Sequence, residues 1–332
     1  MLTLENLVGQ QEDWANYITN VETRDTPLMD WLPVDKKPIT NTEYQYQAER
    51  WATPAINSHV DGKPWTAFSS VGEGRGVLKA VIQWFDKTGS ISKLSQEVSD
   101  IAGIADQMAR EIPKKMSEMR TDMETNFCDD HDSRDDNKVV GYLTRAVGKW
   151  ISDSAQSDRP VPSDFRPPAA SIVTTATASV TENSFRDLLQ SMVTQTKRKE
   201  EISGFVGVGL KRRFSDFQFY LPSSSSTQAS GVNFEQSGTS RAIVRAVDRY
   251  DSDFGPLTLM LSFWLAAITG DSTVQANRGY FLHRSMWKIR WKQKPKVYKP
   301  EFKGGSYEFA MDAILMLVCL NPKGEGKYAP TA

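Results

Sequence analysis

The stretch from Ile101 to Asp130 constrains the fold more than any other part of this chain, because it predicts one long amphipathic helix. Its large apolar side chains recur every third or fourth residue, which places them on one side of a helix. They are Ile104, Met108, Ile112, Met116, Met119, Met123 and Phe127. At about 1.5 Å per residue the helix would be roughly 40 Å long. We therefore expect a helix that crosses an elongated molecule, with Ser99 and Asp100 at its start.

Pro113 interrupts this helical pattern. Proline removes one backbone hydrogen bond, so the sequence predicts a kink there. On the exposed side, Glu111 is spaced to pair with Lys115, and Lys114 with Glu118.

Residues 1–40 have the pattern of an arm rather than a domain. Short apolar pieces are separated by prolines, so this segment cannot close a core of its own. Its aromatic side chains must be buried against the rest of the chain or against a neighbouring subunit. Trp14, Tyr17 and Trp31 are therefore candidate assembly contacts.

A two-stranded ribbon is predicted to follow the arm. From Thr42 the apolar and polar residues alternate, as in a half-exposed strand, and Val77–Phe85 is a second strand candidate. The intervening tip carries Trp51, Trp65 and Phe68, which are further candidate assembly contacts together with Pro113 on the helix. Because an isolated ribbon is marginally stable in water, the pattern predicts a partner subunit that covers it.

The segment Asp129–Asn137 combines carboxylates with a histidine, which could bind a metal. It lacks the glycine and closing glutamate of a calcium loop, so a solvated acidic turn is the favoured interpretation. Residues 151–180 are rich in Pro, Ser, Ala and Thr and predict a long surface excursion.

The remaining elements are predicted from caps and apolar runs. Thr181 is the expected cap of a helix over Glu182–Lys199. Gly204–Leu210 predicts a buried strand, and Ser223–Ser240 a polar loop. The final strand, Tyr307–Leu320, has a continuous apolar second half, which predicts burial on both sides.

Basic and aromatic residues alternate in Trp287–Pro300, which predicts a strand with one aromatic and one basic side. Such a strand could bind DNA, face an acidic neighbour, or expose its basic side to water. The basic residues concerned are Lys288, Arg290, Lys292, Lys294 and Lys296.

Composition and motifs exclude several classes of protein. The formal net charge of -1 does not suggest a nucleic-acid binder by bulk charge, and two distant cysteines form neither a disulfide framework nor a zinc motif. No signal peptide or span is found, which predicts a soluble protein made in a cytoplasm. The three histidines lie outside any nucleophile motif, so we expect no catalytic site, no cofactor and no metal, and hence no enzyme.

Several motifs occur in an order that resembles the major capsid (major head) proteins of tailed bacteriophages, whose fold is shared with the floor domain of herpesvirus capsids. Glu22, Thr26 and Pro27 match the Glu-x-x-x-Thr-Pro pattern of the arm, and Tyr250 with Asp253–Gly255 matches a Tyr-x-x-Asp-Phe-Gly segment. In the sequence, the predicted ribbon and the long helix lie between these two motifs. The resemblance covers most of the chain.

This resemblance implies an α+β capsid fold with four parts. They are an N-terminal arm (1–40), an extended loop (41–96), a peripheral domain with the spine helix (97–140 and 286–332) and an axial domain (141–285). It also implies a structural protein that assembles as hexamers and pentamers into an icosahedral head in the host cytoplasm. The virion would hold packaged double-stranded DNA, without a membrane.

The chain begins directly with the arm, which favours a separate scaffolding protein over a built-in scaffolding segment; a portal is expected as well. Two other functions stay open at this point. A DNA-binding structural protein would use the basic strand 287–300, and a metal-dependent hydrolase would use the acidic segment.

Overall fold

The computed structural model describes residues 24–65, 68, 74–97, 106–215, 233–237, 240–244, 247–266, 277–298, 302 and 304–330. Its helices are α1 (Pro27–Trp31), α2 (Lys93–Glu97), α3 (Gln107–Phe127), α4 (Val147–Trp150), α5 (Glu182–Thr196) and α6 (Val208–Ser215). The first strands are β1 (Glu43–Glu49), β2 (Arg75–Val81), β3 (Gln83–Ser92), β4 (Ile172–Val173), β5 (Ile202–Val206), β6 (Asn233–Ser237) and β7 (Ser240–Val244). The others are β8 (Arg249–Ser252), β9 (Gly255–Leu261), β10 (Gly279–Leu282), β11 (Trp287–Tyr298), β12 (Ser306–Cys319) and β13 (Gly326–Tyr328).

These strands form four sheets, which confirms the α+β class. A six-stranded sheet has the order β4-β13-β10-β5-β9-β8, and a three-stranded sheet has the order β11-β12-β3. β1 pairs with β2 in the ribbon, and β6 pairs with β7 in a hairpin. The sequence placed β3 in the extended loop, but this strand belongs to the three-stranded sheet. It placed β13 with the peripheral domain, but this strand belongs to the six-stranded sheet.

The long helix is confirmed, but within the described residues it begins at Gln107 instead of Ile101. The side chain of Asp106 accepts a hydrogen bond from the Ala109 N–H and caps the first turn. Ser99 and Asp100, the predicted start, lie outside the described residues. The helix passes through Pro113 and ends at Phe127, a length of about 30 Å.

Burial along the predicted apolar stripe of α3 is uneven. Met119, Met123 and Phe127 are fully buried, whereas Met108 and Ile112 are only partly covered. Met116 is 39% exposed, because only the C-terminal half of the helix lies deep in the core. The predicted ion pairs also change partners: Lys114 pairs with Glu111 (3.5 Å) and Lys115 with Glu118 (2.8 Å), three residues apart rather than four.

The ribbon is confirmed with a correction to its second strand. Glu43 pairs with Val81 and Glu49 with Arg75, in one antiparallel register. The predicted strand Val77–Phe85 is broken at Ile82, whose N–H donates to the Thr42 carbonyl. The chain then leaves the ribbon and pairs with β12 as β3.

The six-stranded sheet and α5 form a second core. The helix begins at the Thr181 cap, which forms a capping box with Ser184, and Phe185, Leu188, Leu189 and Met192 are buried. The predicted strand Gly204–Leu210 is shifted: β5 ends at Val206 and α6 begins at Val208. Every residue of β5 is buried, because other strands flank it on both sides.

Two predictions for the loops need correction. The polar loop predicted over Ser223–Ser240 contains β6 and the start of β7, and its other residues lie outside the described ones. Residues 151–180 are not a free surface excursion, because Val161 and Phe165 are buried, and Phe165 lies beneath the ribbon. Phe165 packs so closely on the ribbon backbone that a Cβ added at Gly76 would lie 2.5 Å from its ring.

The C-terminal part of the arm packs within its own subunit. Trp31 is buried: its indole N–H donates to the Ser203 hydroxyl (2.8 Å), and its ring meets Phe205 edge-on at 5.2 Å. The next residues run beside β11, where the Asp35 N–H donates to the Ile289 carbonyl (2.8 Å). Trp31 is therefore a contact inside the subunit rather than one offered to a neighbour.

The turn between β8 and β9 leads to a testable prediction about Gly255. Its φ is +142°, and an added Cβ would lie 2.8 Å from the Glu200 carbonyl oxygen. We expect Gly255→Ala to lower the free energy of unfolding by about 1–3 kcal/mol, since both the backbone angle and the space disfavour a side chain. Chemical denaturation of the unassembled subunit measures this. Gly141→Ala is the control, because nothing lies near a Cβ there. Equal stability of the two variants would contradict the argument.

Candidate assembly surfaces

The ribbon tip is the most exposed apolar part of the described chain. Residues 51–65 form neither helix nor strand, and all are exposed. Trp51 is 93%, Trp65 60% and Phe68 85% exposed, and Ile56 and Val60 are also uncovered. A soluble monomer rarely leaves so many large apolar side chains in water, so this tip is a candidate contact with another molecule.

The base of the same ribbon is covered by its own chain. Arg159 donates from Nε to Glu43 on β1 (2.6 Å) and from Nη2 to Asp135 (2.7 Å). Burial alone would raise the pKa of Glu43, but the hydrogen bonds from Arg159 and Gln45 hold it below its ordinary value. The ribbon is therefore braced at its base and bare at its tip.

Of the other candidate contacts, Pro113 lies exposed on α3. Trp14 and Tyr17 lie outside the described residues. Trp51, Trp65 and Phe68 are thus exposed on the loop that leaves the ribbon, whereas Trp31 is buried within the subunit.

The basic strand is confirmed as β11, but one of its basic residues is not on the surface. Arg290 is only 6% exposed: its guanidinium lies over the Tyr44 ring at 4.0 Å and pairs with Asp35 at 3.4 Å. It therefore cannot face DNA, because the arm and the ribbon cover it. Lys288 is half-buried, while Lys292, Lys294 and Lys296 are exposed.

The two tryptophans of β11 also point inward, whereas Tyr298 at its end is 40% exposed. Trp287 is fully buried and Trp291 is partly buried in the core. Stacking of bases requires accessible aromatic faces. Within the subunit, the pattern of aromatics and lysines therefore separates a side with Trp287 in the core from an exposed side with Lys292 and Lys294.

The acidic segment after α3 is a solvated turn only in its second half: residues 134–137 are exposed, whereas Asp129–Ser133 belong to a network of buried and half-buried contacts. His131 uses both ring nitrogens, toward Asp129 (3.2 Å) and the Thr144 carbonyl (2.9 Å). Asp130 lies 3.4 Å from the amine of Lys327, which is buried. Within the described ranges no group of three or more potential ligands could hold a metal ion. Arg145, Arg159 and Lys327 from other parts of the chain pair with carboxylates of this segment, and His131 contacts Asp129 within it.

One open groove, of about 750 Å³, lies between the ribbon base, Asp164–Phe165 and the end of α5. Its walls contain neither histidine nor cysteine. Both cysteines, Cys128 and Cys319, are buried and unpaired, and burial raises the pKa of each thiol.

Sequence reasoning missed two buried carboxylates that join distant segments. Glu124 of α3 accepts the N–H groups of Leu28 (2.9 Å) and Met29 (2.7 Å), at the start of α1. Burial raises the pKa of Glu124 to about 7. The only signal in the sequence was a carboxylate on the apolar side of the predicted helix, next to Met123 and Phe127.

The second carboxylate is Glu325, which accepts the backbone N–H of His283 (2.9 Å). His283 lies where the chain passes from β10 to β11, and Glu325 where it returns from β12 to β13. Burial raises the pKa of Glu325. Burial alone would lower the pKa of His283, but the Glu325 carboxylate has the larger effect, so the pKa of His283 is raised overall. The pair thus links the β10–β11 connection to the β12–β13 connection, both of which run between the six-stranded and the three-stranded sheets.

No helix in the described part of the chain has the length and apolar character needed to cross a membrane.

Comparison with known proteins identifies the family. The SU10 major capsid protein family matches residues 2–329 of this chain. No curated protein sequence matches. Among solved structures, the mature capsid of bacteriophage PhiM1 has a TM-score of 0.64 at 10% identity, with 97% of this chain and 92% of that chain covered. The native GTA particle capsid has a TM-score of 0.59 at 11% identity, with 99% and 98% covered.

A similar fold occurs outside phages, in the SrpI encapsulin of Synechococcus elongatus PCC 7942, with a TM-score of 0.54 at 8% identity and 96% and 92% of the chains covered. At such low identities these likenesses show the fold alone, which is the tailed-phage capsid fold that the motif order implied. The family match extends over almost the whole chain and carries the function. This chain therefore belongs to the SU10 major capsid protein family and is a structural protein of a phage capsid, not an enzyme.

Proposed function

We propose that the chain assembles as hexamers and pentamers into an icosahedral head, in which the ribbon tip of each subunit lies on a neighbouring subunit. The observation that carries this proposal is the exposure of Trp51, Trp65 and Phe68 on a ribbon whose base is already braced. Burying these side chains against another copy would remove a large apolar area from water, and each buried aromatic contributes on the order of 2 kcal/mol.

The division into domains follows from the same proposal. The three-stranded sheet and α3 form the peripheral domain, and the six-stranded sheet with α5 forms the axial domain near the capsomer centre. Support comes from the pairing of the strands in two separate sheets and from the hydrophobic cluster between α5 and β5; the larger cluster beneath α3 and β12 also reaches Phe205 and Tyr280 of the six-stranded sheet. In this division β3 belongs with the peripheral sheet and β13 with the axial sheet, because their pairing partners lie there.

The head is proposed to enclose double-stranded DNA and to be assembled in the host cytoplasm. A separate scaffolding protein and a portal stay predictions. Expression of the chain together with its neighbouring genes, followed by nuclease treatment of purified particles, tests the enclosed DNA. DNA that is fully digested in intact, mature particles would contradict this part of the proposal.

The experiment on the tip uses the triple variant W51S/W65S/F68S in the full chain. We expect subunits that fold normally but yield few closed shells by sedimentation and electron microscopy, because the contact loses its apolar area. Val139→Ser is the matched control, since Val139 is 89% exposed on a loop elsewhere. Normal yields of shells from the triple variant would mean that the tip is not an assembly contact.

A further inference from the structure

The three-stranded sheet has an uncovered side, which we call the outer face. α3 packs against the opposite side, where Lys87 of β3 pairs with Asp122 of the helix (2.6 Å). Because side chains alternate along a strand, Trp84 and Asp86 of β3 point away from α3. Trp84 is 64% exposed.

The outer face is acidic on β3 and β12. Asp86 stands directly opposite Asp312 in the strand register, and Glu308 lies farther along the same side of β12. Two carboxylates facing each other across a strand pair are destabilising unless a cation lies near them. Within the described residues, neither Asp86 nor Glu308 has an ion-pair partner, so this surface can accept positive charge.

The other edge of the same sheet supplies positive charge. Lys292 and Lys294 lie on β11 where register shifts interrupt its pairing with β12. Both are exposed, and in the described part of the chain neither forms an ion pair. Lys296 differs, because it stands opposite Asp312 in its own sheet.

DNA is the less suitable partner for these lysines. Arg290 and Trp287 are buried, and Tyr298, the aromatic residue of β11 that is 40% exposed, already lies against Lys296, whose amine is 4.8 Å from the ring centroid. The acidic outer face, in contrast, matches the lysines in charge and adds an exposed indole that can accept an ammonium group over its ring.

We propose that Lys292 and Lys294 of one subunit contact the outer face of a second copy of this chain, at Trp84, Asp86 and Glu308. A shell of identical subunits presents each surface many times, so a lysine edge and an acidic face on the same chain can meet repeatedly. This inference rests on the proposed assembly into shells and adds a specific contact to it. The contact helps to set which subunits fit together, since opposite charges favour one register and like charges exclude others.

A charge exchange tests the contact in the full chain expressed with its neighbouring genes. The first variant is K292E/K294E, the second is D86K/E308K, and the third combines all four substitutions. Lys296 and Asp312 stay unchanged, because they face each other within one sheet. The parent chain is measured alongside: failure of the parent to form shells would count against the proposed function, whereas the variants address only this contact.

We expect each two-residue variant to lower the yield of closed shells at least about tenfold, because like charges then meet across the contact. The combined variant is expected to recover shells, since the charges are again opposite. Recovery also shows that the substitutions did not prevent folding. If the combined variant fails to recover shells, the contact is wrong.

Two further results would overturn the proposal. Normal shells from K292E/K294E with less nuclease-protected DNA inside would mean that the lysines face the genome. Normal shells with the usual DNA would mean that the lysines are a solvated edge that prevents unwanted strand pairing.

Discussion

Replacing Arg145 with alanine is expected to lower the free energy of unfolding of the subunit by about 3–5 kcal/mol, because the change leaves a half-buried carboxylate without its partner. Arg145 is 2% exposed, and its Nε donates to Asp132 at 2.8 Å. Nη2 donates to the carbonyl groups of Asp158 and Arg159, and the guanidinium lies over the Trp150 ring at 4.7 Å. One side chain thus joins the end of α3 to residues 151–180.

The electrostatics of Asp132 support this estimate. Burial by itself would raise the pKa of Asp132, but the Asp158 N–H and the Arg145 charge outweigh burial and hold the pKa below its ordinary value. In the alanine variant the carboxylate keeps the cost of burial and loses the cation. The Arg159 carbonyl group also loses its hydrogen bond from Arg145 in this variant. Because the Arg159 side chain holds the ribbon through Glu43, we expect the ribbon base to loosen as well.

Denaturant unfolding of the unassembled subunit measures the effect. Arg134→Ala is the control, because this arginine is exposed on the same segment and should change stability by less than about 0.5 kcal/mol. Proteolysis near residues 151–180 gives a second measurement, since the variant should be cleaved faster there. Similar unfolding midpoints for the two variants would show that the Arg145 network contributes little.

The second large effect is expected from Glu124→Ala, which should cost about 2–5 kcal/mol because two buried N–H groups of α1 lose their acceptor. Glu124 is fully buried, with its two oxygens on Leu28 and Met29. Asp30 and Arg120 form an ion pair beside it and join the same two helices. This carboxyl group, the Asp30–Arg120 pair and the burial of Leu28 and Trp31 thus hold α1 against α3.

Glu124 also predicts a pH dependence. Its pKa is about 7 in the folded subunit, mainly through burial, against an ordinary value of 4.5. Because the folded pKa is the higher one, the stabilisation is complete below pH 4.5 and is lost as pH rises through 7. The difference amounts to about 3 kcal/mol between the two limits.

The pH effect is best measured as a difference between the parent and Glu124→Gln. Other carboxylates, such as Asp132, have lowered pKa values and act in the opposite direction, so the parent curve alone mixes both contributions. We expect parent stability to fall relative to the glutamine variant as pH rises from 5 to 8. Parallel curves would mean that Glu124 does not change its protonation in this range.

The local pattern of residues was enough to predict several elements. The period of apolar residues predicts α3 and α5, alternation predicts β1, and a continuous apolar run predicts the buried half of β12. The Thr181 cap needs only the residues beside it. Each of these features depends on neighbours within a few positions, so the sequence carries it directly.

Other features depend on segments that are far apart in the chain. Arg290 looked like a surface residue, but Tyr44 and Asp35 cover it. The acidic segment looked solvated, but Arg145 and Lys327 engage it. Residues 151–180 looked like a free excursion, but Phe165 lies beneath the ribbon.

By itself, then, the sequence determined α3, α5, the ribbon and the buried half of β12, together with the family, because periodicity and ordered motifs are local properties. Only the tertiary structure decided which charges are buried and paired. The cost of burying a charge depends on the groups that surround it, and here those groups come from residues as distant as Leu28 and Glu124.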